Sequence, residues 1–321
     1  MKAIVNTVYG SPDVLSLREV EKPIPKDNEV LIKIHSSTVN RTDCGFRKPE
    51  YFIVRLFSGI FKPKNTILGN ELVGEVEAIG KNVSKFKTGD AIFGLSTWKF
   101  GTHAEYICMA ETASIATKPT NMTFDEATAV CDGMMLAMNM IRQIDFSSPK
   151  KILINGATGS IGTACVQLAK FYGAEITAVG NTKNLELIKS LGADSVKDYT
   201  QEDFTKTSDR FDFVLDAVGK SSFFRCKKIL KRKGVYISTE LGFLSQNIFL
   251  AIFSPLFGGK RVKFPIPTDS QKDILLFKEI IESGKYKAII DRTYPFDQFL
   301  EATRYVESGE KTGNVVLKIV D

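Results

Sequence analysis

The 321 residues predict an α/β protein in which a β-rich domain is interrupted by a doubly wound parallel sheet. Three observations carry that reading. Short apolar strands alternate with helices from Lys151 to Ser238. A glycine-rich turn joins the first of those strands to the first helix. After about Asp291 the chain resumes the strand-and-turn texture of its N-terminal part.

The elements follow in chain order. Leu31-Ile32-Lys33-Ile34 and Val73–Ile79 read as strands, and Gly80-Lys81-Asn82 and Thr88-Gly89-Asp90 as turns. At Thr123 the texture changes. Thr123-Phe124-Asp125-Glu126 has the cap and the first-turn acids of a helix start, and one helix is predicted through the Met-rich stretch to about Ile144. Strand Ile152–Asn155, helix Ile161–Phe171, strand Glu175–Val179 and helix Asn184–Leu191 come next. Strand Phe211–Asp216, a helix near Ser221–Leu230 and strand Val235–Ser238 follow them. Val315–Val320 reads as a closing strand. The predicted domains are 1–121 with 292–321, and 122–291 between them.

Composition narrows the class. A 43% apolar, 25% charged chain is ordinary for a soluble globular protein. The start, MKAIVNTVYGSPDVL, lacks the apolar centre of a signal peptide, and no run of about 18 apolar residues occurs. A cytoplasmic protein with no membrane partner is expected. The most apolar run, Ile248–Phe257, is broken by Ser254 and Pro255 and is expected in the core or a subunit interface. The net charge of +6 owes much to Arg225–Lys233. Those cations are expected at the end of a helix that stops at Gly234, where they complement its dipole, so no nucleic-acid partner is expected. The five cysteines form no CxxC pair, which argues against a disulfide framework or zinc ribbon.

The strongest local signal is Ile152-Leu153-Ile154-Asn155-Gly156-Ala157-Thr158-Gly159-Ser160-Ile161-Gly162. It follows an apolar strand and opens an amphipathic helix. Gly156 and Gly159 permit a tight turn and close approach of a pyrophosphate, and Gly162 lets the helix pack on the strand. The N–H groups of Ser160 and Ile161 point at the phosphate. This is a dinucleotide-binding, Rossmann-type turn, bordered by Gly156, Thr158, Gly159, Ser160, Ile161 and Gly162. The second strand ends Ala178-Val179-Gly180-Asn181-Thr182-Lys183, without the acid that would hold ribose hydroxyls. Thr182 and Lys183 suit a 2′-phosphate, which points to NADP(H).

Several motifs then resemble the medium-chain dehydrogenase/reductase superfamily, in its zinc-free quinone oxidoreductase branch. Val39-Asn40-Arg41-Thr42-Asp43 is similar to its VNPxD segment. Gly69-Asn70-Glu71-Leu72-Val73-Gly74 with Gly80, Gly89-Asp90 and Gly94 is similar to its N-terminal signature. Asn155–Lys170, Leu191-Gly192-Ala193-Asp194 with Asp198-Tyr199, Asp216-Ala217-Val218-Gly219 and Gly313–Leu317 resemble its later motifs. The resemblance spans nearly the whole chain. It implies a GroES-like catalytic domain, a Rossmann domain and a homodimer, for which Arg261–Phe264 would be an edge strand. It implies that Asn40 and Thr42 lie near the nicotinamide, that Thr182, Lys183 and Tyr199 surround the 2′-phosphate, and that Val218, Thr239 and Asn314 lie along the cofactor.

Zinc-dependent relatives hold a catalytic metal at positions that here read Asn40, Asn70 and Cys131. One thiol cannot hold Zn²⁺, which takes three protein ligands in a catalytic site, so no metal is expected. Without that Lewis acid, quinones and enones are the substrates conjugation makes easiest. Asn40 or Thr42 would assist the developing enolate, and Tyr51 is a candidate proton donor. The segment carrying Tyr51, Phe52, Phe57 and Phe61 reads either as a substrate wall or as local core. Met135 replaces the family's threonine near the nicotinamide. An alcohol/aldehyde oxidoreductase and a non-enzymatic NADPH-binding protein are the alternatives. A short-chain-type dehydrogenase is disfavoured, since no Tyr has Lys four residues on.

Overall fold

The computed structural model describes residues 1–320, and for Phe257 the backbone alone. The chain forms two compact units. The first comprises Met1–Asp132, Asp269–Gly284 and Ala288–Asp321, and the second Gly133–Thr268 with Lys285–Lys287.

The first unit is built on a sheet of seven strands around the long strand Glu29–Val39. That strand pairs antiparallel with Glu71–Ile79 and with Tyr106–Ala110. The return strand Asn314–Lys318 pairs with its far end, Val315 opposite Val39 and Lys318 opposite Ser36. The strand Asn314–Lys318 thus joins the sheet built on Glu29–Val39, while Lys2–Val5 and Ser16–Glu19 pair in a separate two-stranded sheet. Ile32, Ile34, Leu72, Val76, Ile92, Val315 and Leu317 are buried in its core. Each such side chain contributes about 1.5–3 kcal/mol on burial.

The expected border at 291/292 falls elsewhere. The helix Gln271–Glu282 belongs to the first unit, because its polar groups complete that unit's loops. Gln271 Nε2 donates to the Glu111 carbonyl at 2.7 Å, and Lys278 Nζ to Thr117 at 2.6 Å. The predicted helix from Thr123 is two helices, Phe124–Thr128 and Cys131–Ile141. Thr123 and Glu126 form the expected capping box. Tertiary partners take the backbone groups freed by the break. The Asp132 N–H donates to the Glu71 carboxylate at 2.8 Å, and the Ala129 carbonyl accepts from Asn314 Nδ2 at 2.8 Å.

The second unit is a parallel sheet of six strands. Their spatial order is Ser195–Asp198, Glu175–Gly180, Lys151–Asn155, Phe211–Asp216, Leu230–Ser238 and Arg261–Lys263. The chain starts in the middle and winds outward both ways. A crevice therefore opens at the carboxyl ends beside Lys151–Asn155. Leu153, Val179, Phe211, Val214, Tyr236 and Val262 fill the core.

In this unit one strand is unexpected and one helix is shorter than expected. Ser195–Asp198 is a strand that its mixed sequence does not announce. The helix near Ser221–Leu230 is only Phe223–Cys226, followed by a 3-10 turn over Lys227–Ile229. Leu230 already pairs with Phe211, and the register shifts before Phe213 meets Val235. Lys231, Arg232, Lys233 and Gly234 therefore stand in an irregular strand, not at a helix end. Lastly, the apolar run forms the helix Gln246–Phe253 and a 3-10 turn, Ser254–Phe257. Leu250 and Ala251 pack on the core, while Phe249, Ile252, Phe253 and Leu256 are exposed.

Candidate cofactor and active site

In the second unit, the strand Lys151–Asn155 runs into the turn and then the helix Ser160–Phe171. Gly156 has φ +77°, and a Cβ there would lie 2.6 Å from Val218 Cβ. A Cβ on Gly162 would lie 2.0 Å from the Gly156 carbonyl oxygen. Those two glycines are demanded by packing alone. Gly159 differs: its Cβ would meet only the Gly156 oxygen, at 3.9 Å. It caps the helix without a side chain, so the first-turn N–H groups have no side-chain cap. Such a helix start attracts an anion.

Of the four buried polar side-chain atoms that lack a hydrogen-bond partner among this unit's described residues, three stand past strand ends: Ser160 Oγ, Asn181 Oδ1 and Thr239 Oγ1. Each follows the carboxyl end of a different strand, Lys151–Asn155, Glu175–Gly180 and Leu230–Ser238. Leaving such a group unpaired costs about 1–3 kcal/mol. A polar ligand along the strand ends would satisfy all three, so the residues fit a dinucleotide. Sequence reasoning named Ser160 and Thr239 and missed Asn181, whose neighbour to Gly180 was the available signal. Asp216 braces the adjoining loop. Its buried carboxylate accepts from Asn155 Nδ2 (2.9 Å), Tyr236 Oη (2.6 Å) and the Gly219 N–H (3.1 Å). That holds Val218 against Gly156, with Val218 itself partly exposed. Thr158 and Ile161 lie half-buried in the turn. Met135 is buried.

At the end of Glu175–Gly180, Thr182 and Lys183 are exposed, and the Tyr199 N–H donates to the Gly180 carbonyl at 3.0 Å. Here the sequence reading needs correction. No acid follows the second strand in sequence, yet Asp198 from the third strand accepts from the Thr182 hydroxyl at 2.5 Å. That bond and one from Thr200 hold the Asp198 carboxyl below its ordinary range. Thr182's donor is spent, and Lys183 is the group left for a 2′-phosphate.

In the first unit, Asn40 caps the helix Arg41–Arg47. Its Oδ1 accepts from the Asp43 N–H (3.0 Å), and Asp43 accepts from the Asn40 N–H (3.0 Å) and the Gly69 N–H (2.9 Å). The VNxxD pattern is thus a capping box tied to the Gly69 loop. Asn40 Nδ2 donates to Asn70 Oδ1 (2.6 Å), and Asn70 Nδ2 donates to Asp132 Oδ1 (2.6 Å). Asn40 has one amide hydrogen to spare. Thr42, two residues on, is half-buried. Tyr51 caps the next helix, Phe52–Ser58, and is partly exposed, as are Phe52, Phe57 and Phe61. Those aromatics are therefore not core. Phe57 lies 6.0 Å from Trp98, ring to ring. Asn314, expected along the cofactor, spends its amide hydrogens on the Ala129 and Ile289 carbonyls. It braces the backbone of the first unit.

The donor set does not fit zinc. Asn40 and Asn70 bind each other, and burial pushes the Cys131 thiol well up, away from thiolate. Among the described residues no group of three His, Cys, Asp or Glu is placed to hold a metal. His103 Nε2 contacts the Thr38 carbonyl at 2.8 Å, and His35 stacks on Phe124.

A buried acidic set, missed from sequence, surrounds this chain of amides. Glu71 accepts from Thr38 and from the Asp132 N–H. Burial, and then Asp132's charge, pushes Glu71 up; burial pushes up Asp132 and Asp43. Lys311 faces Asp132, Glu71 and Asp291, and burial pushes it down. Carboxyls whose folded values are raised stabilise fully below their unfolded values, near pH 4, and lose that contribution as pH rises through the folded ones. We expect the melting temperature to fall above neutral pH and Glu71→Gln to flatten that fall. Gln can still accept from the Asp132 N–H and donate to Thr38. Each unit of raised pKa is worth about 1.4 kcal/mol. Thermal melts from pH 5 to 9 with the same slope in both proteins would refute this.

Comparison with known proteins agrees with this layout. Residues 26–120 match the family model described as alcohol dehydrogenase GroES-like domain, and residues 191–317 the one described as zinc-binding dehydrogenase. The chain is 34% identical to 2-methylene-furan-3-one reductase of Solanum lycopersicum, over 99% of this chain and 79% of that protein. It is 31% identical to the chloroplastic NADPH-dependent alkenal/one oxidoreductase of Arabidopsis thaliana, with the same coverage. The solved structure of the quinone oxidoreductase from Coxiella burnetii superposes with a TM-score of 0.87 at 24% identity, over 100% of this chain and 99% of that one.

Proposed function

The chain belongs to the medium-chain dehydrogenase/reductase superfamily, in its quinone oxidoreductase-like branch, and from that premise we propose that it reduces a conjugated carbonyl, an enone or a quinone, with NADPH and without zinc. The observation that carries this reading is the Asn40–Asn70 hydrogen bond, where one amide donates to another at positions that hold metal in zinc enzymes. A simple alcohol or ketone needs a Lewis acid before hydride can move; a conjugated acceptor delocalises the arriving charge itself. The names of the tomato and Arabidopsis relatives, a furanone reductase and an alkenal/one oxidoreductase, support the same substrate class.

Ser160, Ile161 and the first turn of their helix hold the pyrophosphate, and Asn181 and Thr239 hold the ribose and nicotinamide parts. When bound, NADPH supplies the hydride. Asn40 donates its spare amide hydrogen to the oxygen that becomes an enolate, and Thr42 assists. Asp132 and Asn70 keep the Asn40 amide in that orientation. The substrate carbon is protonated from solvent or from Tyr51. The helices Arg41–Arg47 and Phe52–Ser58 pack together, and the exposed Phe52, Phe57 and Phe61 are available as an apolar wall for the substrate. Asp198 favours a second reading of the cofactor: a carboxylate at the adenosine end accepts from ribose hydroxyls, which suits NADH.

The test is NADPH oxidation with a panel of enones, quinones, aldehydes and alcohols, alongside elemental analysis. Turnover of enones or quinones with no zinc in the protein is expected. Turnover of aldehydes alone, with about one zinc per chain and loss to a chelator, would reject the proposal.

A further inference from the structure

The chain has a single tryptophan, Trp98, and the first unit leaves it 49% exposed. It stands between the strands Ala91–Leu95 and Tyr106–Ala110, in a loop that the fold holds tightly. The Phe100 N–H donates back to the Ser96 carbonyl at 2.8 Å, and Ser96 Oγ donates to the Phe100 carbonyl at 2.8 Å. Phe100 takes φ +57°, a left-handed backbone that a bulky side chain adopts only where its surroundings impose it. Asn65 Nδ2 donates to the Trp98 carbonyl itself at 3.2 Å.

Both ends of this loop are tied to the framework that orients Asn40. The Ser96 N–H donates to the Asn70 carbonyl at 2.7 Å, and the Asn70 side chain accepts from Asn40. The Phe100 ring lies 4.6 Å, centroid to centroid, from Phe46, on the helix that Asn40 caps. Phe57, 59% exposed, meets Trp98 at 6.0 Å between ring centroids and 42° between ring planes. Phe52, Leu56 and Phe61 are exposed in the same stretch as Phe57. Single apolar side chains on a surface need no explanation, whereas a group of them marks a binding surface. Beside Trp98, Thr97 Oγ1 is buried with no hydrogen-bond partner among the described residues, in a residue that is itself half-buried. Rotation about its χ1 exchanges hydroxyl for methyl, which leaves that hydroxyl as a donor for a ligand.

We propose that Trp98, with Phe57 against it and Thr97 beside it, determines which acceptor this protein takes: a flat, electron-poor fused ring of the naphthoquinone kind, in preference to a small open-chain enone. An indole face carries negative charge density, and a quinone ring, drained by its carbonyls, stacks on it favourably. Two adjoining ring faces also offer an area that a fused-ring acceptor covers and a small enone does not, and apolar burial scales with that area. A quinone has one carbonyl oxygen for Asn40 and another for the Thr97 hydroxyl; a simple enone has only the first. The reduction balances as quinone, NADPH and one proton from water giving hydroquinone and NADP⁺. This inference rests on the reaction proposed above and narrows its substrate class.

The experiment uses the full chain and the fluorescence of Trp98, to which no other tryptophan contributes. The protein is titrated with 1,4-naphthoquinone in the presence of NADP⁺, with N-acetyltryptophanamide as the reference for collisional quenching. We expect saturable quenching of the protein and linear quenching of the reference. Phe57→Ala keeps the fluorophore and should raise the dissociation constant roughly two- to tenfold. In turnover with NADPH, Trp98→Ala should lower kcat/KM for the naphthoquinone roughly tenfold or more, mostly through KM. The same variant should leave kcat/KM for 3-buten-2-one within roughly twofold, and Trp98→Phe should recover most of the loss. Thr97→Val should cost the naphthoquinone roughly five- to tenfold, and Thr97→Ser should restore it. Trp98 and Phe57 are exposed, so unchanged thermal melts are expected. Linear quenching of the protein, or an equal loss for both acceptors in Trp98→Ala, would overturn the proposal. Turnover of 3-buten-2-one alongside linear quenching would reject this site and leave the reaction standing. Saturable quenching that Phe57→Ala weakens, with neither acceptor turned over, would support the ring site and reject the reaction.

Discussion

A Gly162→Ala variant is expected to lose most of its affinity for the dinucleotide and to melt at a lower temperature. The added Cβ would sit 2.0 Å from the Gly156 oxygen, 2.7 Å from the Gly156 carbonyl carbon and 2.7 Å from Ala157 Cα. All three are backbone atoms of the turn itself, so no side-chain rotation relieves the clash. The helix must shift away from the turn, and its first N–H groups shift with it. Overpacking of this kind costs roughly 1–3 kcal/mol, and a similar loss of contact with the pyrophosphate weakens binding roughly five- to 150-fold. Gly159→Ala separates the two effects. Its Cβ meets nothing closer than 3.9 Å, so the fold should be kept. If Gly159 borders the phosphate, that variant binds NADPH more weakly with an unchanged melt. Cofactor titration by fluorescence and thermal melts of both variants decide this. Normal binding by Gly162→Ala would mean that the turn does not position the cofactor.

Lys183→Ala is expected to weaken NADPH binding roughly ten- to 100-fold and to leave NADH binding nearly unchanged. A charge-assisted hydrogen bond to phosphate contributes roughly 1.5–3 kcal/mol, and NADH has no 2′-phosphate to lose. Lys183 matters more because the Thr182 hydroxyl is held by Asp198. The partner variant Asp198→Asn frees that hydroxyl and removes a negative charge, so it should tighten NADPH binding. Dissociation constants of both cofactors for wild type and the two variants are the measurement. Equal weakening of both by Lys183→Ala would give that residue a structural role. Tighter wild-type binding of NADH, lost in Asp198→Asn, would establish the second reading and leave the dinucleotide-binding turn in place.

The features legible in the sequence are those whose causes are local. The turn at Gly156–Gly162 is readable because Gly162 answers a clash inside the turn and Gly156 a left-handed backbone, although Val218 also crowds Gly156. The capping boxes at Asn40 and Thr123 join residues three apart, and apolar strands such as Lys151–Asn155 declare their own burial. The order of those strands and helices was enough for a parallel sheet inside an interrupted β-rich unit. Tertiary structure alone decided what depends on partners distant in sequence. It placed Asp198 on Thr182 across two strands, and it set Glu71 and Asp132, 61 residues apart, into one buried acidic set with Lys311. It turned the basic run Lys231–Lys233 from a helix end into a strand, because Leu230 finds its partner in Phe211. It also left Phe249, Ile252 and Leu256 facing outward, where hydrophobicity alone would have buried them. A side chain's identity tells what environment it favours; which environment it obtains depends on packing, and packing sums contacts from the whole chain.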